Sequence, residues 1–414
     1  MQFRKSLLTS LISSSAFLST AFADSCSSDS GYSIQSQSDL DSLSSCTTVS
    51  GDVTIQGSIG TAALSGVTRI KGSLTIKNAT SLSSFSADSL QIIDDELSLT
   101  DLTILDNLNL PVLTQVGSIY FVTLPALSEI TLTTGISQVD SIYISDTALE
   151  SLSGINVINV DTFNVNNNRD LQTVDGSLKT VKTSLEVSYN SENVEVTFDN
   201  LVWANNVTFR DVSSISMANL TAVNGSMGVY NTTIDSLVLD NLEEIGGALA
   251  VSFNNELTEL EFSSLVEIGG ALDITNNSAL SSITGFPKLK TVGGAIDISG
   301  AFNNISFPSL KSVKGGANFY SSVYMDCSAL KALHKKGVIQ GDDYSCTAAK
   351  SSSSSSSGSK SGSSTATASG SSSDSTDTAS ASGTATSSGS GAPQVIISGA
   401  SIVGALAAAL LSLL

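Results

Sequence analysis

The sequence predicts an all-β chain wound into a right-handed parallel β-helix of about thirteen coils, closed by short capping helices. Three observations predict it. A unit made of an apolar residue, a glycine-containing turn and an apolar–x–apolar triplet recurs along the chain. Successive triplets start 20 to 24 residues apart. Between them no long stretch carries the 3.6-residue apolar period of a helix.

The unit is plainest at 245–251 (IGGALAV), 268–274 (IGGALDI) and 292–298 (VGGAIDI), with a looser copy at 313–319 (VKGGANF). Upstream it reads VSGDVTI at 49–55, IKGSLTI at 70–76 and VNGSMGV at 223–229. Weaker copies place strands at 97–99, 119–121, 142–144, 163–165, 185–187 and 207–209. An apolar–x–apolar strand buries every second side chain. One such strand per coil stacks Val, Ile and Leu into continuous inner columns, and thirteen coils at about 4.8 Å each span roughly 60 Å. The Gly pair is expected to supply a positive-φ corner. Asn or Asp follows many strands, at Asn78, Asp101, Asn168, Asn190, Asn231, Asn254 and Asn276. Stacked Asn side chains would hydrogen-bond along the solenoid. Trp203, the sole tryptophan, stands before a strand and is expected in the core.

A solenoid has two open ends that need covering. Residues 39–43 read as a short helix before Cys46, and 328–337 as another, with basic residues in its last turn and a Gly stop. Four cysteines, Cys26, Cys46, Cys327 and Cys346, allow three disulfide pairings. Cys26–Cys46 with Cys327–Cys346 is favoured, because each bond closes a short loop at one end of the fold.

Both termini carry processing signals. Arg4 and Lys5 precede an apolar run ending Ala21-Phe22-Ala23, so residues 1–23 read as a signal peptide cut after Ala23. Residues 395–414 are almost wholly apolar and uncharged, and small residues lie upstream. That is a GPI signal, with Ser390 the expected attachment point, Gly389 and Gly391 the alternatives, and 391–414 removed. Residues 350–390, rich in Ser, Thr, Gly and Ala, read as a disordered stalk, and 24–349 as the folded ectodomain. Removing Arg4 and Lys5 from the 18 basic residues leaves 16 against 38 acidic, a net charge of about −22. Such a charge argues against nucleic acid and against an anionic membrane surface.

The stretch Cys46-x-x-Val49-x-Gly51-x-Val53-x-Ile55 resembles the opening motif of receptor L domains, the leucine-rich-repeat-like β-helices of insulin- and EGF-receptor ectodomains. Repeats, cap cysteines, Ser-rich stalk and lipid signal together resemble the fungal GPI-anchored cell-wall organisation proteins, including their sporulation-specific relatives. The resemblance covers the whole chain. It implies a role in the integrity of a vegetative or spore wall, without an established catalytic activity. Coils 119–209 lack the Gly-Gly corner, which leaves open one solenoid or two abutting L-domain-like halves.

Catalytic chemistry has little to work with. His334 is the only histidine and reads as a surface residue near the end of a cap helix, which leaves a Ser-His-Asp or Cys-His set little support. No phosphate loop or metal-ligand spacing is present, and no cofactor is expected. Asp273 and Asp297 occupy the outward middle position of consecutive strands and would lie about 5 Å apart, near a retaining-glycosidase spacing. No neighbouring Arg, His or aromatic pattern completes a sugar site around them, and they read as a solvated face, as does the acidic run Asp94–Glu96.

Binding is the better fit. The outward middle residues of successive strands form a polar face that includes the neighbouring tyrosines Tyr120 and Tyr143, a platform for a sugar ring or a protein side chain. Seven Asn-x-Ser/Thr sequons mark candidate N-glycans: Asn78, Asn206, Asn219, Asn224, Asn231, Asn276 and Asn304. Asn78, Asn231 and Asn276 fall on inward parity and are expected to serve the ladder. Asn206, Asn219, Asn224 and Asn304 are the expected acceptors. The chain therefore reads as a glycosylated surface protein, on the outer leaflet and in the wall, that contacts wall polysaccharide or other wall glycoproteins. A wall-remodelling glycan hydrolase using Asp273 and Asp297, and a receptor-like binder of a soluble ligand, are the alternatives.

Overall fold

The computed structural model describes residues 26–350. The signal peptide, the remainder of the stalk, and Ser390 with Gly389 and Gly391 lie outside the described residues. All thirteen expected strands are present, and one more is added at each end, Tyr32–Ile34 and Tyr344–Ala349. Each pairs in parallel with the next, giving a β-solenoid of about 14 turns whose main ladder runs unbroken from Tyr32 to Ala349. Register is strict. Val53 pairs with Leu74, Ile119 with Ile142, and Leu272 with Ile296.

Register of this kind turns sequence period into core. The first inward column, from Val53 through Leu97, Ile142, Val207 and Leu272 to Ala317, is no more than 3 % exposed at any coil. Truncating one of its Leu or Ile residues to Ala would cost about 2–5 kcal/mol. Shorter side sheets complete the coil, including one of four strands that ends at Ile130–Thr131 and one of three that begins at Thr173–Asp175.

The corners differ from expectation in two ways. The single glycines Gly51 and Gly72 have positive φ, but the paired Gly246, Gly269 and Gly293, where it was expected, do not. Their need is closeness. A Cβ on them would lie 2.1, 2.0 and 2.0 Å from the carbonyl oxygens of Asn224, Gly246 and Gly269 on the coil beneath. Where the pair is missing, the corner and main strands run together, as in Gln115–Leu124, Asn159–Asn166 and Thr180–Ser188. These absorb the corner as register shifts after Val116, Val160 and Val181.

Among the described residues, ten non-glycine residues at the end of the main strand have positive φ: Asn78, Asp101, Thr123, Asp146, Asn167, Tyr189, Asp211, Asn231, Phe253 and Asn276. The left-handed turn breaks strand parity. The corner residue stays outside and the next one enters the core. Asn78, Asn231 and Asn276 are therefore exposed, and Ala79, Thr232 and Asn277 take the inner positions. The expected inward placement of those three asparagines is thus corrected by one residue.

The inner column holds two ladders, Thr147–Asn168–Asn190, whose last residue is half-buried, and the fully buried Thr232–Asn254–Asn277. The backbone N–H of Thr147 donates to Asn168 Oδ1 at 3.0 Å, and that of Asn168 to Asn190 Oδ1 at 2.9 Å. The second ladder repeats this with Thr232 to Asn254 Oδ1 and Asn254 to Asn277 Oδ1, both at 2.9 Å. Side-chain Nδ2 groups return to carbonyls of neighbouring strands, as Asn168 does to Ile144 and Asn254 to Val229, each at 3.1 Å. The amides thereby satisfy turn groups that would otherwise be buried unpaired. Trp203 is half-buried at the start of Trp203–Arg210, and Ala204 fills the inside position, so the tryptophan is not a core residue.

The ends are closed as expected. Helix α1 (Gln37–Asp41) starts on a capping box in which Asp39 Oδ2 accepts the N–H groups of Gln35 and Ser36, each at 2.9 Å. Those bonds, Gln35 first, hold the Asp39 carboxyl below its ordinary range. Helix α2 (Ser328–Lys335) buries Leu330, and Gly337 in the left-handed region ends it. Disulfides Cys26–Cys46 and Cys327–Cys346 pin the two ends.

Candidate binding face

The outward side of the main sheet collects the polar and aromatic groups. Tyr120 and Tyr143 are in register on adjacent coils, so their rings stack, with centroids 5.2 Å apart and planes 17° from parallel. Beside them runs a hydrogen-bonded strip. Ser145 Oγ donates to Asn166 Oδ1 at 2.7 Å, and Asn166 Nδ2 to Asn164 Oδ1 at 2.6 Å. Asn164 Nδ2 then donates to Glu186 Oε2 at 3.1 Å, and Ser188 Oγ to Glu186 Oε1 at 2.8 Å. The strip fixes amide and carboxylate orientation next to the stacked rings.

Farther along, sequence reasoning missed a second aromatic station. The Arg210 guanidinium carbon lies 4.4 Å from the Tyr230 ring centroid and 5.8 Å from that of Tyr189. Tyr230 folds back over Gly228, where a Cβ would fall 2.3 Å from the ring. Burial pushes the Tyr230 phenol up, Arg210 pulls it down, and Asp273 pushes it up. Reading the third and fourth residue after each strand start, rather than only the middle one, would have placed Tyr189, Arg210, Tyr230 and Phe253 at adjoining positions on four consecutive coils, with Arg210 and Tyr230 in register.

Asp273 and Asp297 are in register on adjacent coils, as expected. Burial raises the Asp273 carboxyl, the Thr275 hydroxyl lowers it, and Asp297 raises it, with the net shift upward. Asp273 Oδ1 is buried without a hydrogen-bond partner among the described residues, whereas Asp297 Oδ1 accepts from Asn318 Nδ2 at 3.0 Å. The Asp273 charge raises the Tyr230 phenol, so an aromatic group stands within electrostatic reach of this pair. In the other acidic run, Asp94 is held by Arg69 at 2.8 Å.

A polar groove of ≈ 610 Å³, lined by Ser151, Asn156, Thr173, Asp175 and Asp199 among others, opens at the start of the three-stranded side sheet, whose first strand Thr173–Asp175 forms part of its lining. His334 stacks flat on Tyr344, centroids 4.4 Å apart, within the C-terminal cap. All seven sequon asparagines, Asn78, Asn206, Asn219, Asn224, Asn231, Asn276 and Asn304, are exposed.

A long sheet flank that presents its groups in register, with every described cysteine in a disulfide, defines a cell-surface repeat scaffold of an oxidising compartment. Known proteins sharpen that class. The chain is 43 % identical over 318 residues to the cell wall mannoprotein PST1 of Saccharomyces cerevisiae, covering 76 % of this chain and 71 % of that one. It is 34 % identical over 352 residues to protein ecm33 of Aspergillus fumigatus, covering 84 % and 87 %. Sporulation-specific protein 2 of Saccharomyces cerevisiae is 34 % identical over 260 residues, 62 % of this chain and 52 % of that one. No family model matches the chain, and no solved structure matches it. The chain belongs to the fungal family of GPI-anchored cell-wall proteins that includes PST1 and ecm33.

Proposed function

We propose that the chain is a non-catalytic scaffold of the fungal wall that grips wall polysaccharide through the face bearing Tyr120 and Tyr143. Membership of the cell-wall family supports the location, and the stacked ring pair beside an ordered amide–carboxylate strip carries the reading. Sugar rings pair an apolar face with a rim of hydroxyls, which suits a flat aromatic surface flanked by fixed donors and acceptors. In this reading the leader is cut after Ala23, residues 350–390 link the ectodomain to its anchor, and Ser390 carries the lipid. Wall glycoproteins would meet the same flank.

The experiment is cellular. A strain whose own copy carries Tyr120→Ser and Tyr143→Ser should display the protein at normal level yet show wall-stress sensitivity approaching that of a deletion. Wild-type resistance at normal display would reject the assignment of this face.

A second reading, glycan hydrolysis at Asp273 and Asp297, has one observation in its favour. One carboxyl is pushed toward neutrality beside another held by an amide. Release of reducing sugar from wall glucan, lost in Asp273→Asn, would establish it.

A further inference from the structure

We infer that Phe253 is the seat of the chain's own N-glycans, its ring receiving the first sugar on Asn231 from the coil before it and on Asn276 from the coil after it. The inference rests on the secretion assumed in the proposed function. Phe253 is anomalous in three respects. It has positive φ, where most of its column is Asn or Asp, and a bulky residue there is strained. Its side chain has no polar atom with which to offset that strain. The residue is 55 % exposed, and its ring stacks on no other ring among the described residues.

The backbone places the acceptors on either side of it. The N–H of Asn231 donates to Ser252 O, that of Phe253 to Thr275 O, and that of Asn276 to Ser299 O, so the three residues occupy one corner position on consecutive coils. Successive coils are about 4.8 Å apart, within reach of a sugar attached to either asparagine. Both sequons are threaded alike. The acceptor sits at the corner, the middle residue, Thr232 or Asn277, enters the buried ladder, and the hydroxyl residue, Thr233 or Ser278, returns to the surface. Asn231 Nδ2 donates to Asp211 Oδ1, and glycosylation leaves one N–H on that nitrogen to keep the bond.

Attachment forms an Nδ2–C1 bond to the sugar as C1 leaves its lipid-linked diphosphate donor and Nδ2 loses one proton. The sugar's axial C–H groups then cover the negative face of the ring. An N-linked sugar fits better than a free wall polymer here, because the acceptors are tethered beside the ring and need no binding equilibrium.

The test uses the secreted full chain with its glycans trimmed enzymatically to one sugar. Phe253→Ser should lower the unfolding midpoint by about 2 °C in this form. In the background Thr233→Ala with Ser278→Ala, which removes both sequons and spares the ladder, Phe253→Ser should cost nothing or raise the midpoint. Equal effects in the two backgrounds would overturn the inference. So would intact-mass mapping that finds Asn231 and Asn276 bare while other sequons are filled. A chain with every sequon bare would instead count against the secretion reading. Loss of wall-glucan binding by Phe253→Ser in the sequon-free background would assign the ring to a foreign ligand and also overturn it.

Discussion

Asn254 and Asn277 share one oxygen: the backbone N–H and the side-chain Nδ2 of Asn254 both donate to Asn277 Oδ1, at 2.9 and 3.1 Å. Neither residue is exposed to solvent. Asn254→Ala should therefore strand buried donors and acceptors on both neighbouring coils and cost about 2–4 kcal/mol. Denaturant unfolding checks this against Asn303→Ala, an exposed control expected within about 0.5 kcal/mol of wild type.

Close approach rather than conformation explains the Gly pairs. A Cβ on Gly269 would lie 2.0 Å from Gly246 O, so Gly269→Ala should cost roughly 1–3 kcal/mol or more through forced separation of two coils. Gly60→Ala meets nothing closer than 3.9 Å and should be near neutral. Thermal unfolding of the two variants separates the cases.

Thr123 is β-branched at a φ of 59°, in a column otherwise dominated by Asn and Asp. Thr123→Asn should stabilise by about 0.5–1 kcal/mol, since Asn tolerates the left-handed region. An unchanged or lowered denaturation midpoint would contradict the strain argument.

Asp273 gives a pH signature. Its folded carboxyl is raised, chiefly by burial, so between the unfolded and folded values the native state holds more protons than the unfolded one. Stability from this group falls as pH rises through that window. Asp273→Asn should thus raise the unfolding midpoint at neutral pH, with the gain disappearing below the ordinary carboxylate range. A gain of equal size at low pH would show that the carboxyl is not the cause.

Much of this fold is legible in the sequence because an apolar–x–apolar triplet repeated once per coil has few other ways to bury its side chains. The strand starts, the cap helices and both disulfides follow from that and from loop length. The corners do not. Whether Asn276 or Asn277 enters the core depends on a single left-handed residue, which a period-two reading passes over. Gly246 and Gly269 look like turn glycines until the coil beneath them is in place. The Tyr120–Tyr143 pair was visible because both residues occupy the middle of a strand. The Arg210–Tyr230 contact was not, since it depends on a ring folding back over Gly228, one coil from the arginine.

The most direct test of the account is the affinity of the lipase-released chain for soluble wall β-glucan, by calorimetry, with Tyr120→Ser/Tyr143→Ser compared with Thr54→Ser/Thr75→Ser on the same face. Loss of the stacked rings should weaken binding by about tenfold, or 1.4 kcal/mol, while the threonine pair stays at wild-type affinity. Equal affinity for all three proteins, or no glucan binding by the wild type, would contradict it.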